Sequence, residues 1–214
     1  MSPRSPRPPR RLTAEKRRHQ LVEIALDQIA ARGFDEYSLD EVAEAADVSR
    51  NLLYRYFPRG RQDLSLAVVE RVMEELAERW NVDPTLERRE RGEINLGRIA
   101  RLGFDAAPEW RVYRRVRAVT DSEAVALIEG FHSRWVERIA ANNGFDPTND
   151  IIALSVRSLI AFACEAIDQA AARGIRQPDV MELIFAAFDD TLSRCTTIQD
   201  TRSPRRPAPA PAKS

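Results

Sequence analysis

Residues 38–57 read SLDEVAEAADVSRNLLYRYF. Two short helices are written into this stretch, with a turn of about three residues between them. Ser38, followed three residues later by Glu41, forms a capping box, in which each side chain satisfies a free backbone N–H of the other's end. Val42, Ala43 and Ala46 give the first helix its apolar face, which stops at Asp47. Val48 enters the turn, Ser49 caps the second helix, and that helix runs from Arg50 to Phe57 before Pro58-Arg59-Gly60 breaks it. Leu53 and Phe57, four apart, face inward, while Arg50, Asn51 and Arg55 face outward. The spacing suits a helix-turn-helix, whose second helix enters the major groove of DNA. A plain buried helix pair has the same lengths, so spacing alone leaves both readings open.

Outward from this stretch the chain reads as helix almost throughout. A first helix starts at Thr13, carries Leu21, Ile24, Ala25, Gln28 and Ile29 at three-to-four spacing, and ends at Gly33. Further helices are predicted over 62–80, 85–102, 108–119, 122–142, 147–173 and 178–197. Pro147 and Pro178 are expected at first helical positions. Gly92 and Gly97 weaken the 85–102 helix by roughly 1 kcal/mol each relative to Ala. The chain is 43% hydrophobic and only 7% aromatic, and Ala, Leu, Glu and Arg are plentiful. The expected class is all-α, with an N-terminal three-helix helix-turn-helix domain over 12–60 and a larger helical domain over 61–200. Residues 1–11 and 201–214 are rich in Pro, Ser and Arg and are expected to be disordered, because they cannot bury enough apolar surface to offset ordering entropy.

Formal net charge is +0, which alone would argue against a nucleic-acid partner. Its distribution argues the other way: residues 1–18 carry a net +6 and residues 62–201 a net −7. One end of the chain is built to meet anions and the other is not. The side chains of the second helix add chemistry to this. Arginine matches guanine O6 and N7, and asparagine matches adenine N6 and N7, which singles out Arg50, Asn51 and Arg55. The hydroxyls of Tyr54 and Tyr56, and those of Ser38 and Ser49 at helix N-termini, can meet phosphate. Lys16, Arg17 and Arg18 stand at the start of the first helix, suited to backbone contact. Arg4, Arg7, Arg10 and Arg11 could follow the phosphates or enter the minor groove, or could form a solubilising tail.

Residues 21–64, LVEIALDQIAARGFDEYSLDEVAEAADVSRNLLYRYFPRGRQDL, resemble the N-terminal domain of the TetR/AcrR family of transcriptional regulators. The specific part is Ala-Asp-Val-Ser-x-x-x-Leu-Tyr-x-Tyr-Phe, placed after Gly-Phe and Ser-x-x-x-Val-Ala. The resemblance implies that Ser49, Arg50, Asn51, Tyr54 and Arg55 occupy operator-contacting positions. It implies phosphate contact for Ser38 and Lys16, and core positions for Leu53 and Phe57. Three departures stand out: Asp47 where the family commonly has Gly, Tyr37 for a small Ser or Thr, and Asn51-Leu52 for the common Gly-Thr pair. They bear on which operator is read.

The same resemblance implies a palindromic double-stranded operator and a homodimer formed through the helices near 147–173 and 178–197. The first of these is apolar nearly all round and must be covered on more than one side. The resemblance also implies a repressor released by a small molecule, with the helix over 62–80 transmitting the change. Phe104, Trp110, Tyr113, Phe131, His132 and Trp135 are candidate lining residues for a largely apolar ligand, although aromatics at helical spacing are more often core. A constitutive DNA-binding module without sensing is the alternative.

An all-helical enzyme is the weaker rival. Two histidines, His19 and His132, give no zinc spacing, and Asp189-Asp190 lacks a second acidic cluster for a magnesium-diphosphate site. No phosphate loop or nucleophile elbow is present, and no cofactor is expected. Cys164 and Cys195 read as small core hydrophobes. No apolar run is long enough for a membrane span, and a cytoplasmic location is expected.

Overall fold

The computed structural model describes residues 12–79, 83, 85–116 and 122–202, the last three as helical backbone only. The arm 1–11 and the tail beyond 202 lie outside the described residues. The described residues form nine helices and no strand: α1 Ala14–Arg32, α2 Leu39–Ala45, α3 Arg50–Tyr56, α4 Arg61–Arg79, α5 Arg88–Phe104, α6 Pro108–Val116, α7 Ser122–Asn142, α8 Asp150–Arg173 and α9 Gln177–Arg202. The class is all-α, as the helical periodicities require.

Two compact units result. One comprises Met1–Glu75 with Ala107–Leu127, the other Leu76–Ala106 with Ile128–Ser214. The boundary falls within α4 and again within α7.

The first unit is built on α1. Thr13 caps it by accepting from the Lys16 N–H, and Leu21, Ala25, Leu26 and Ile29 are buried along one face. Each fully buried Leu or Ile contributes about 1.5–3 kcal/mol relative to exposure. This face packs against α2 and α6. From α6, Arg115 donates to the Ala31 carbonyl at 3.3 Å, in the last turn of α1, and adds a 3.1 Å bond to the Ile29 carbonyl, which also accepts from the Gly33 N–H. From α4, Arg71 pairs with Glu23 of α1 at 2.9 Å.

Tyr37 fastens the segment before α2 to the start of α4. Its ring is fully buried, and its hydroxyl donates to the Arg61 carbonyl at 2.8 Å while sharing a 2.9 Å hydrogen bond with Ser65. The Arg61 guanidinium lies over the ring, 5.0 Å from its centroid, and donates to the Asp35 carbonyl at 2.5 Å. A small Ser or Thr at position 37 could not fill this space or reach α4.

In the second unit α8 and α9 pack along each other and both pack on α5. Ile152, Val156, Ile167 and Ile184 are wholly buried there. Cys164 and Cys195 are buried and not disulfide-bonded.

Several expected helix ends move. The 147–173 helix begins at Asp150, because Asn149 is the true cap and accepts from the N–H groups of Ile151 and Ile152. Pro147 therefore precedes the helix, in a turn where the Asp146 carboxylate accepts from the N–H and hydroxyl of Thr148. The last helix continues to Arg202 instead of stopping at 197. For the 108–119 helix the described part ends at Val116.

Burial raises the pKa of the Tyr37 phenol above its ordinary 10.0, outweighing the opposite pull of Ser65 and Arg61. The folded chain therefore keeps this proton over a range in which the unfolded chain loses it. The stability Tyr37 contributes is complete below pH 10 and falls as pH rises through the folded value. Tyr37→Phe should cost about 1 kcal/mol at neutral pH, from the lost hydrogen bonds. It should also flatten the alkaline loss of stability, as read from urea midpoints at neutral pH and at about pH 11.

Candidate nucleic-acid interface

The geometry between α2 and α3 comes from a few local hydrogen bonds. Ala46 ends α2, and Asp47 follows at φ 53, in the left-handed region. The Asp47 N–H donates to the Glu44 carbonyl and the Val48 N–H to the Ala43 carbonyl, both at 3.0 Å. This is a Schellman closure, which reverses the chain within one residue. Ser49 then caps α3, its hydroxyl accepting from the Leu52 N–H at 3.2 Å. Glycine is the usual residue at such a left-handed position, and aspartate is among the few others that tolerate it.

The capping box at α2 is only half formed. Ser38 accepts from the Glu41 N–H, but the Ser38 N–H donates to Gln28 of α1 at 3.3 Å. Glu41 turns away to Arg32, at 2.6 Å. Both substitutes tie α2 to α1, which the local pattern could not indicate.

Leu53 and Phe57 are buried beneath α3. Ser49, Arg50, Asn51, Tyr54 and Arg55 are exposed along its outer face, so the structure brings these five candidates together. Tyr56 is half-buried, as is Leu52. Lys16 is exposed on the first turn of α1, and Ser38 is half-buried at the α2 cap. Arg50 reaches back to Asp40 of α2 at 3.1 Å and lies 5.8 Å from the centroid of the Tyr54 ring. Hydrogen bonding to Tyr54, and then the Asp40 charge, raise its pKa above the ordinary arginine value.

The basic segment at the start of α1 divides its work. Lys16 is solvent-facing, Arg17 donates to the Ala46 carbonyl at 2.9 Å, and Arg18 lies 5.4 Å from the centroid of the Phe57 ring. Arg17 thus holds the end of α2 and Arg18 the end of α3. Sequence reasoning gave all three the same role, because a contact 29 residues away leaves no local signal.

Gly60 was also missed beyond its role as a breaker. It is buried at φ 62, and a Cβ there would lie 3.0 Å from the Tyr54 ring and 3.3 Å from Leu39. Only glycine lets the chain turn into α4 while Tyr54 keeps its place. Arg59 beside it is held by Asp63 at 2.6 Å and Glu123 at 2.9 Å. The Arg59 N–H, donating at 2.7 Å, is the largest cause of the lowered Asp63 pKa.

The six aromatic-pocket candidates are divided between the units. Trp110 and Tyr113 lie on α6 in the first, with ring centroids 5.8 Å apart. Phe104, Phe131, His132 and Trp135 belong to the second, where Phe131 and Trp135 pack at 4.6 Å. Among the described residues no group of three His, Cys, Asp or Glu side chains could hold a metal, and no helix is long and apolar enough to cross a membrane.

An exposed, cationic and amide-bearing helix held on two buried supports has the form of the second helix of a helix-turn-helix. Residues 21–68 match the family model described as bacterial regulatory proteins, tetR family. A relative from Mycobacterium tuberculosis, named as the mycofactocin biosynthesis transcriptional regulator MftR, is 26% identical over 184 residues, covering 80% of this chain and 87% of the relative. The HTH-type transcriptional regulator LuxR of Vibrio harveyi is 39% identical over 71 residues, 33% of this chain and 34% of LuxR. The solved structure of a tetR-family transcriptional regulator from Streptomyces coelicolor has a TM-score of 0.70 and 28% identity, covering 89% of this chain and 84% of that one. The chain is thus similar to tetR-family transcriptional regulators in sequence over residues 21–68 and in fold over most of its length.

Asp47→Gly should relieve the left-handed position. An increase of roughly 0.5–1 kcal/mol in unfolding free energy is expected, read from urea denaturation. A loss of stability would show that the Asp47 side chain contributes more than its backbone strain costs.

Proposed function

We propose that this protein is a ligand-responsive repressor that binds a palindromic operator as a homodimer. The observation that carries the dimer is an uncovered apolar face on α8 and α9. Leu154 is 61% exposed and Leu183 56%, with Ile151 and Phe162 also open to solvent. Large apolar side chains at these exposures, repeated on two adjoining helices, are what a second copy would cover. Two-fold symmetry then presents two α3 helices to two half-sites.

In the proposed complex Arg50, Asn51 and Arg55 read base edges, while Ser38, Ser49, Tyr54, Tyr56 and Lys16 meet phosphates. Residues 12–60 act as the DNA-binding domain and 61–200 as the sensing and dimerising domain, with the 1–11 arm adding electrostatic reach. A small, largely apolar molecule enters near the aromatic set and shifts α4, releasing DNA into the cytoplasm, where the protein works. A second reading, DNA binding without sensing, draws on the 4.6 Å packing of Phe131 on Trp135, which fills space a ligand would need.

Selection of bound DNA from a random pool should return a palindrome. On that DNA, Arg50→Ala should cost about 1–3 kcal/mol and relax one base position in each half-site. Asp40→Asn should change affinity by less than about 1 kcal/mol, as expected of an exposed pair. Leu154→Glu with Leu183→Glu should give monomers by light scattering and lose operator binding. A non-palindromic consensus, or a dimer that survives both charges, would overturn the symmetric reading.

A further inference from the structure

The second unit contains a half-open cleft of about 70 Å³ between the first turns of α5, the end of α7 and the middle of α9. None of the six aromatic candidates lines it. Its apolar wall is Phe185, Phe188 and Leu192 of α9, facing Gly92 and Asn95 of α5, with Asn143 closing one end.

Two buried amide oxygens are left without a partner here. Asn95 is 8% exposed, the one buried polar residue among the described residues, and its Oδ1 accepts from nothing. Asn143 donates through Nδ2 to the Ile139 carbonyl at 2.7 Å, which fixes its Oδ1 as an acceptor, also buried and unmet. Buried carbonyl oxygens are normally satisfied, and two at one cleft ask for a donor from outside the protein.

Three arginines and one carboxylate, Arg88, Arg89, Arg91 and Asp189, line the cleft. Arg91 donates to the carbonyls of Leu86 and Asn142, and Arg89 pairs with Glu93 at 2.9 Å and approaches Asp189 at 4.0 Å. The rim is cationic, while the unmet groups inside the cleft are acceptors, so they call for a hydrogen-bond donor and not for a carboxylate.

Helix α5 is weakened at the same place. Gly92 and Asn95 are poor helix formers, and both line the cleft three residues apart on one face. A Cβ on Gly92 would lie 3.7 Å from the Phe185 ring, an ordinary contact. Packing thus does not require glycine at 92; its absent side chain keeps the cleft open. Local rules broken together commonly mark a functional site.

We infer that this cleft binds the polar end of a small neutral amphipathic molecule. Its hydroxyl or amide donates to Asn95 and Asn143, and its ring or chain lies on Phe185, Phe188 and Leu192. An engineered apolar cavity of about 150 Å³ holds benzene, so about 70 Å³ in a half-open cleft suits the anchored end of a molecule. The inference deepens the sensing half of the proposed function, and binding is read apart from DNA release.

The probes are benzyl alcohol, toluene and benzoate, titrated into the full chain and followed by the NMR signals of asparagine side-chain amides. Benzyl alcohol should shift Asn95 and Asn143 saturably and bind about tenfold more tightly than toluene or benzoate, the value of one well-made hydrogen bond. Asn95→Leu should abolish the preference for the alcohol over toluene. Gly92→Ala should raise thermal stability, by removing a helix glycine, and weaken benzyl alcohol several-fold. No saturable shift would mean that the cleft holds only water. That result, equal binding of toluene, or unchanged binding to Gly92→Ala would each overturn the inference. Alcohol binding without release of operator DNA supports the site and counts against the sensing reading alone.

Discussion

The turn at Asp47 is the constraint on which the DNA-binding face depends. One left-handed residue, closed by two 3.0 Å backbone hydrogen bonds, sets the direction in which α3 leaves α2. A left-handed conformation costs an ordinary residue roughly 1–2 kcal/mol, so the closure must be enforced from both sides. Leu53 and Phe57 bury one side of α3, and Val42 and Ala43 bury one side of α2. The recognition face is then what remains outside a strained but fully supported turn.

Much of that support comes from arginines donating to backbone carbonyls. Arg17 reaches Ala46, Arg61 reaches Asp35, Arg115 reaches Ala31, and in the other unit Arg91 reaches Asn142. Each guanidinium carries several fixed donors and can satisfy the open carbonyls that helix ends present. A net charge of zero therefore says little about this molecule, because many of its basic side chains serve as clamps. Among the described candidates, Lys16 and Arg55 are exposed and hold no such carbonyl.

Helix class, the two short helices and the caps at Thr13, Ser38 and Ser49 were legible because their causes lie within four residues. Reciprocal capping by Glu41 was not, since Arg32 of another helix competes for its carboxylate. Pro147 misled for a similar reason: proline suits a first helical position, but Asn149 downstream offers a better cap. Tyr37 stood out only as a departure from the family pattern, and its meaning required a partner 24 residues away. For the second unit, periodicity identified helices without saying which faces meet. The unmet oxygens of Asn95 and Asn143 become visible only once three helices are in place.

The Arg50–Asp40 pair shows how such an interface can be both stable and ready to bind. Arg50 is a leading candidate for base recognition, yet it is held at 3.1 Å by a carboxylate of the neighbouring helix. Both side chains are more than half exposed, so the pair is screened and worth no more than about 1 kcal/mol. A bidentate contact to guanine is worth about 1–3 kcal/mol of discrimination, so exchanging one partner for the other is favourable only at a matching base. Against a wrong base the gain falls toward the cost of leaving Asp40, which also meets the DNA as a like charge. If Arg50 reads a base as proposed, Asp40 would act against non-cognate sites more than against the operator, with Tyr54 lying beside the guanidinium at 5.8 Å.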